Sequence, residues 1–227
     1  MKNKLINVVI AICFIIGLVL IFINPIQNFL IAQTSKRVVE NQVTVSTVPM
    51  PTGEVAVEQP VASYDFEEVQ SLTIWDILAA QGQVKDIPAI GSIHIPAVDM
   101  TLPILNGVGK YALAVGAGTM KSKQQMGQGN YALASHYIEG KNVLFGPLYH
   151  LKKDDSIFIS DMEFVYEYKT TSIKVIEATD VHVIDDLKDD TRLTLITCAE
   201  DGTRRLSVVA QFVGKTAAEE ATQLGMK

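Results

Sequence analysis

Cys198 stands between two β-rich runs in the stretch Thr194–Val213, TLITCAEDGTRRLSVVAQFV. Thr194, Leu195, Ile196 and Thr197 favour extended backbone, Ala199–Thr203 form a short polar loop with an Asp201-Gly202 turn, and Leu206–Val213 read as a second strand. The thiol therefore ends one strand while Arg204 and Arg205 open the next, so that Cys198 and an arginine can face each other across one hairpin end. A thiol attacks carbonyl carbon as thiolate. A guanidinium beside it favours that ion and offers two hydrogen bonds to an oxyanion, a fork that Lys cannot copy. Alternation separates the two arginines only by a condition: if Leu206 and Val208 point to the core, Arg204 shares their face and Arg205 takes the other. Both stay candidates on spacing alone.

Such a thiol needs a base. An ordinary thiol of pKa roughly 8.5 beside an imidazole of roughly 6.5 forms the ion pair about once in a hundred, so the site must tolerate or shift that ratio. Of the four histidines, His94 and His182 lie in strand-like runs and His150 precedes a basic turn, positions that suit structural or solvated rings. His136 differs: it follows the strand-like Tyr131–Ser135 and opens a polar loop, a strand-end position like that of Cys198. The competing reading of any single Cys is a small buried hydrophobe, and residue type alone favours it.

Topology argues against that reading. The chain of 227 residues has two cysteines, Cys13 and Cys198, and Cys13 lies in the apolar run Leu5–Ile23. That run of 19 residues, at about 1.5 Å per residue, just spans a hydrocarbon core of about 30 Å. No small-residue cleavage site follows closely, and Lys2 and Lys4 precede the run, so we expect an uncleaved anchor with a cytoplasmic N-terminus and the remainder outside the cell. The two thiols then cannot pair, and Cys198 stands alone in an oxidising compartment. A net charge of −6 without a strongly basic run excludes nucleic acid as a partner class.

Residues 28–63 are rich in Thr, Val, Gln, Glu and Pro, and Leu30–Ser63 lack aromatics, which reads as a flexible stalk. Asp65 with Glu68 opens an expected helix that Gly82 closes, with Val69, Leu72, Trp75 and Leu78 on one face. Beyond Pro88 the expected strands are Ile90–Ile95, Thr101–Ile104, Tyr131–Ser135, Ile157–Ser160, Phe164–Tyr168, Ser172–Glu177, Val181–Ile184, Arg192–Cys198 and Arg205–Val213. Many short strands with few helices mean a β-barrel or sandwich. The organisation expected is an anchor (1–27), a stalk (28–63), a catalytic β-domain led by a helix (64–215) and a tail (216–227) that is a weak helix or frayed end. Gly107-Val108-Gly109 and Gly116-Ala117-Gly118 lack a full phosphate motif and read as turns. Asp185, Asp186, Asp189 and Asp190 fit no standard calcium loop and read as solvated, and no His/Cys cluster has zinc spacing.

At these residues the sequence resembles the sortases, specifically the class A, housekeeping type of Gram-positive bacteria with a streptococcal cast. The family signature Thr-Leu-x-Thr-Cys stands as Thr194–Cys198, its histidine segment as Leu133-Ala134-Ser135-His136, and its arginine as Arg205 before Leu206-Ser207-Val208-Val209, with Arg204 in reserve. Ile90–Pro96, Leu102–Ile104, Gly116–Met120 and Gly129–Tyr131 are similar to successive barrel segments of that class. The resemblance implies a mainly β fold, a closed eight-stranded barrel with a few short helices behind a single transmembrane helix. It implies a cysteine transpeptidase that cleaves a Leu-Pro-x-Thr-Gly (LPXTG) signal of surface proteins between Thr and Gly and joins the protein to an amine of lipid II or peptidoglycan. Cys198 would be the nucleophile, His136 the general acid and base, and Arg205 the holder of substrate carbonyls or the oxyanion. Ala134 and Ile196 would line the signal groove, Thr197 would support substrate hydrogen bonding, and the Ala199 N–H would assist at the oxyanion.

No cofactor is implied. Some class A members bind calcium through carboxylates in the loop before the histidine strand, whereas this chain has Lys121, Lys123 and no acid over residues 121–126, so we expect calcium-independent activity. Competing readings are a pilin-polymerising or restricted-substrate sortase, a Cys-His wall peptidase, and a noncatalytic surface-binding β-domain. The first is disfavoured because Val43–Val61 lack an Asp-Pro-aromatic lid.

Overall fold

A computed structural model describes residues 7, 10, 12–14, 17, 29–39, 89–138, 142–199 and 202–223. Residues 29–39 are helical (α1), and the strands and helices that follow are β1 (Ala89–Ile95), β2 (Met100–Leu105), α2 (Lys110–Val115), β3 (Ala117–Thr119), β4 (Asn130–Ala134), β5 (Ser156–Ser160), β6 (Phe164–Glu177), β7 (Arg192–Ala199), β8 (Arg204–Ala217) and α3 (Ala218–Gln223). The strands close into a barrel in the order β1-β2-β3-β4-β7-β8-β6-β5. β2–β3 and β4–β7 are parallel and the remaining pairs antiparallel.

Period-two patterning selects the inner face. Ile93 and Ile95 of β1, Tyr131 and Leu133 of β4, Leu193 and Leu195 of β7, and Leu206 and Val208 of β8 all enter one core, which Phe145 and Tyr168 help to fill. The Tyr168 hydroxyl, its pKa pushed up to about 12 by burial, accepts the Gly127 N–H at 2.9 Å. Leu193 to Thr197 are buried on both faces of β7, because the outer face is also covered. Over Thr194 the cover is the Asn130 side chain, which in turn holds the Val183 carbonyl.

Several expectations change in detail. Val181–Ile184 is a 3₁₀ turn rather than a strand: a four-residue run with His182 inside it, set between acids, is too short for periodicity to separate the two. Phe164–Tyr168 and Ser172–Glu177 are one strand, its register shifting near Thr170 where the polar Lys169-Thr170-Thr171 interrupts the pattern. Gly116–Gly118 lead out of a short helix into β3 rather than forming a free turn, and β8 runs on to Ala217. Residues 29–39, assigned above to the stalk, are helical, with Ile31 in the barrel core cluster.

The expected helix after Asp65 and most of the Leu5–Ile23 run fall outside the described residues. Among the described residues no helix is long and apolar enough to cross a membrane.

Candidate active site

The floor of the site is the outer face of β4, β7 and β8. Ala134 pairs in register with Ile196, and Cys198 pairs with Arg205, so these four residues share one surface. Leu206 and Val208 lie in the core, which meets the condition set by alternation and turns Arg205 to the groove side with Cys198. Cys198 is free and half-buried. His136, 6% exposed, follows Ala134 by two positions and lines the same groove, as do Ile196, Cys198 and Arg205. The groove is open to solvent at its mouth, and residues 176–184 with Leu113 form its walls.

The ends of β4 and β7 are fastened to each other just where His136 begins. Ser135 N–H donates to the Ile196 carbonyl at 3.2 Å, Thr197 Oγ1 donates to the Ser135 carbonyl at 2.7 Å, and Ser135 Oγ donates to the Gly116 carbonyl at 2.7 Å. The Thr197 proton is thus spent on the scaffold, where that hydroxyl holds the histidine strand. β4 then leaves β7, and the His136 carbonyl accepts Phe145 N–H at 3.1 Å instead. The freed Cys198 carbonyl accepts the Tyr149 hydroxyl at 3.1 Å, and the Tyr149 ring lies 4.7 Å from that of Tyr137.

The two arginines have separate surroundings. Arg204 Nε lies 3.1 Å from Glu177 and its Nη2 donates to the Val175 carbonyl at 3.4 Å, both on β6. Arg205 Nη1 donates to the carbonyls of Gly202 at 2.7 Å and Arg204 at 3.0 Å, within its own hairpin. Ala199 packs into the core and is not part of the groove lining, so it can reach a substrate only through its backbone.

A polar network that residue types alone did not single out holds the wall. Asn130 Nδ2 donates to the carbonyls of Val183 (2.9 Å) and Asp185 (3.2 Å), and Thr194 Oγ1 donates to Asn130 Oδ1 at 2.7 Å. Asp186 accepts Asn130 N–H and Lys121 Nζ, each at 2.7 Å. The Lys121 hydrogen bond, then the Asn130 N–H, hold its carboxyl below the usual range. Gly129, at φ +53, keeps the approach open: a Cβ there would lie 2.6 Å from Asp186 Oδ1. The acidic run 185–190, read above as simply solvated, thus contributes two structural carboxylates, Asp186 here and Asp190, which pairs with Arg192 and accepts Gln211 Nε2 at 2.9 Å. The traceable signal was Gly129-Asn130 at the start of the histidine strand.

The other histidines stand apart from this lining. His94 bonds Thr101 at 2.8 Å, burial lowering its pKa, and His182 pairs with Asp185 at 3.0 Å on the surface. Among the described residues no group of three or more His, Cys, Asp or Glu is arranged to hold a metal.

A thiol, an imidazole and a guanidinium lining one groove on the outside of a closed β-barrel define a cysteine acyl-transfer enzyme. The family model described as the sortase domain matches residues 93–213. Sortase A of Streptococcus agalactiae is 40% identical over 209 residues, covering 89% of this chain and 82% of that protein. Sortase A of Listeria monocytogenes is 36% identical over 214 residues, covering 93% and 92%. The crystal structure of the Listeria enzyme superposes with a TM-score of 0.56 at 40% identity, over 60% of this chain and 95% of that one. The chain belongs to the sortase family of cysteine transpeptidases, enzymes of cell-wall sorting whose substrates are proteins bearing a sorting signal.

Proposed function

We propose that this sortase cleaves a Leu-Pro-x-Thr-Gly signal between Thr and Gly through a thioester on Cys198, and transfers the protein to an amine of lipid II. The observation that carries the reading is the in-register pair Cys198–Arg205 on the groove face, with His136 in the same lining and the apolar Ala134 and Ile196 beside them. An extended peptide can lie along that apolar floor with its scissile carbonyl at the thiol.

The Cys198 thiolate adds to the Thr carbonyl, and the negative charge moves to oxygen. Arg205 stabilises that oxyanion with paired N–H donors once it turns from its hairpin carbonyls. The C–N bond breaks as imidazolium His136 gives its proton to the departing Gly nitrogen, leaving the thioester. An acceptor amine then attacks, His136 takes its proton, and the thiolate departs as the new amide forms. Leu5–Ile23, behind Lys2 and Lys4, would hold the enzyme in the cell membrane with the N-terminus in the cytoplasm and the barrel outside.

The test is to incubate the full chain with a Leu-Pro-x-Thr-Gly peptide and an oligoglycine or alanine amine. Expected are amine-dependent ligation, a mass adduct on Cys198, and losses of at least about 1000-fold in Cys198→Ala and His136→Ala. Unaltered turnover in Cys198→Ala, or no acyl adduct on Cys198 under any condition, would sink the proposal. Cleavage that added amine never diverts would instead identify a hydrolytic wall peptidase.

A further inference from the structure

We propose that α1 is part of the catalytic unit, with Ser35 and Val38 acting as positioning residues for the histidine side of the groove. Three contacts on different elements carry this. Ile31, 1% exposed, joins the barrel core cluster; Val38, 3% exposed, forms a second apolar cluster with Leu105, Ala114 and Val115; and Ser35 Oγ donates to the Val115 carbonyl. The docked face recurs at helical spacing through Ile31, Thr34, Ser35 and Val38, all buried, while Lys36 and Arg37 are exposed.

The connection to the site runs through the C-terminus of α2. The last carbonyls of a helix have no partner within it. In α2 the Ala112 carbonyl takes Gly116 N–H, the Val115 carbonyl takes Ser35, and the next carbonyl, of Gly116, takes Ser135 Oγ at 2.7 Å. Neighbouring carbonyls are thereby held by two serines, one from α1 and one directly before His136. Leu113 of the same helix lines the groove. Loss of α1 would free the element that both walls the groove and anchors Ser135.

The docking has a further consequence at the membrane, which rests on the membrane placement proposed above. Five residues, 24–28, separate the apolar run from α1, and five residues reach at most about 18 Å when fully extended. A chain anchored through 5–23 and docked through 29–39 holds its barrel at the membrane surface, next to a lipid-borne amine, instead of swinging on a long stalk.

The full chain in detergent micelles is the material for the test, with hydrogen exchange as one readout and peptide kinetics as the other. Amides 33–39 of the parent should exchange at least about 100-fold more slowly than an unfolded chain, and Val38→Asp should abolish that protection. Ser35→Ala should lower kcat about threefold with KM within twofold, Ser35→Thr should restore it, and Val38→Asp should lower kcat about tenfold. A purely structural helix would instead lower the melting temperature and leave the kcat of the folded protein unchanged. Unprotected amides in the parent overturn the docking, and lost protection with unchanged kcat overturns the positioning role. Should Val38→Asp fail to fold, the Ser35 pair decides. An inactive parent with protected amides would refute the proposed reaction while leaving the docking intact.

Discussion

The wall of the groove and the arginine that faces it are held in opposite ways. The wall, from Glu177 to Asp186, is bonded outward: Asn130 takes two of its carbonyls, and Lys121 with the Asn130 N–H takes Asp186. In the β7–β8 hairpin, the Arg205 guanidinium is bonded inward, to the carbonyls of Gly202 and Arg204, beside a glycine at φ +87. The contrast separates two tasks. A wall fastened at Asn130 and Lys121 presents a shape before any peptide arrives, which lowers the ordering cost of binding. An arginine bonded to its own hairpin can exchange those carbonyls for a substrate oxygen without disturbing the barrel.

The largest effect that can break this division lies in the arginines. Arg205→Ala should lower kcat/KM about 100-fold or more, and Arg205→Lys should recover little, because the role proposed for Arg205 is that of a two-donor fork to the oxyanion. Arg204→Ala should cost about threefold or less, since its pair with Glu177 is partly exposed and surface ion pairs contribute about 0–1 kcal/mol. Steady-state kinetics on one peptide checks both. Equal losses would mean that the hairpin acts as a unit and that the in-register pairing with Cys198 does not choose between the arginines.

A smaller effect is expected at the wall. Asp186→Asn removes the partner of Lys121, and we expect KM for the peptide to rise about fivefold with kcat within twofold, the pattern of lost binding rather than lost chemistry. The Asp186 carboxyl titrates below its unfolded value, so its contribution is present above the ordinary carboxylate range and is lost as pH falls through the lower folded value. The parent KM should therefore hold steady from neutral pH down into the ordinary carboxylate range, about pH 4, where a carboxylate without Lys121 would begin to be protonated. Calcium should leave both constants unchanged, because the Lys121 ammonium already neutralises Asp186. A calcium-dependent fall in KM would show that the wall is not preformed.

What the chain discloses beforehand follows the same line. The barrel was legible because β1, β4, β7 and β8 alternate apolar residues on one face, and Thr194–Cys198 with Ala134–His136 carried the family resemblance through local identity. Spacing left Arg204 and Arg205 open and the resemblance favoured Arg205; its groove-facing side follows from Leu206 and Val208 seated in the core, a fact of tertiary packing that spacing states only as a condition. Asn130, Lys121 and Asp186 stayed hidden because their meaning is a meeting of segments up to 65 positions apart, and an isolated Asn, Lys or Asp reads as solvated. Thr197 is a related case. The resemblance gives it a supporting part in substrate hydrogen bonding, and only the parallel pairing with β4 shows that its own proton goes to the Ser135 carbonyl.

The smallest predicted effect concerns Tyr149, which ties the two catalytic strands where they part. After Ser135 the β4 backbone turns to Phe145, so the Cys198 carbonyl loses the strand partner that the Ile196 carbonyl still has. The Tyr149 hydroxyl replaces that partner, with its ring against Tyr137, the neighbour of His136. Tyr149 is 41% exposed, so water can take over the carbonyl when the hydroxyl is removed. Tyr149→Phe should then cost about 0.5 kcal/mol, roughly twofold in kcat/KM, and Tyr149→Ala, which also loses the aromatic contact, about fivefold. The rate of Cys198 alkylation against pH separates positioning from chemistry: Phe should leave the profile of the parent in place, while Ala should lower its plateau. If both variants match the parent, the Cys198 strand end holds its geometry through β8 alone, and the inward-bonded hairpin is stiffer than its hydrogen bonds suggest.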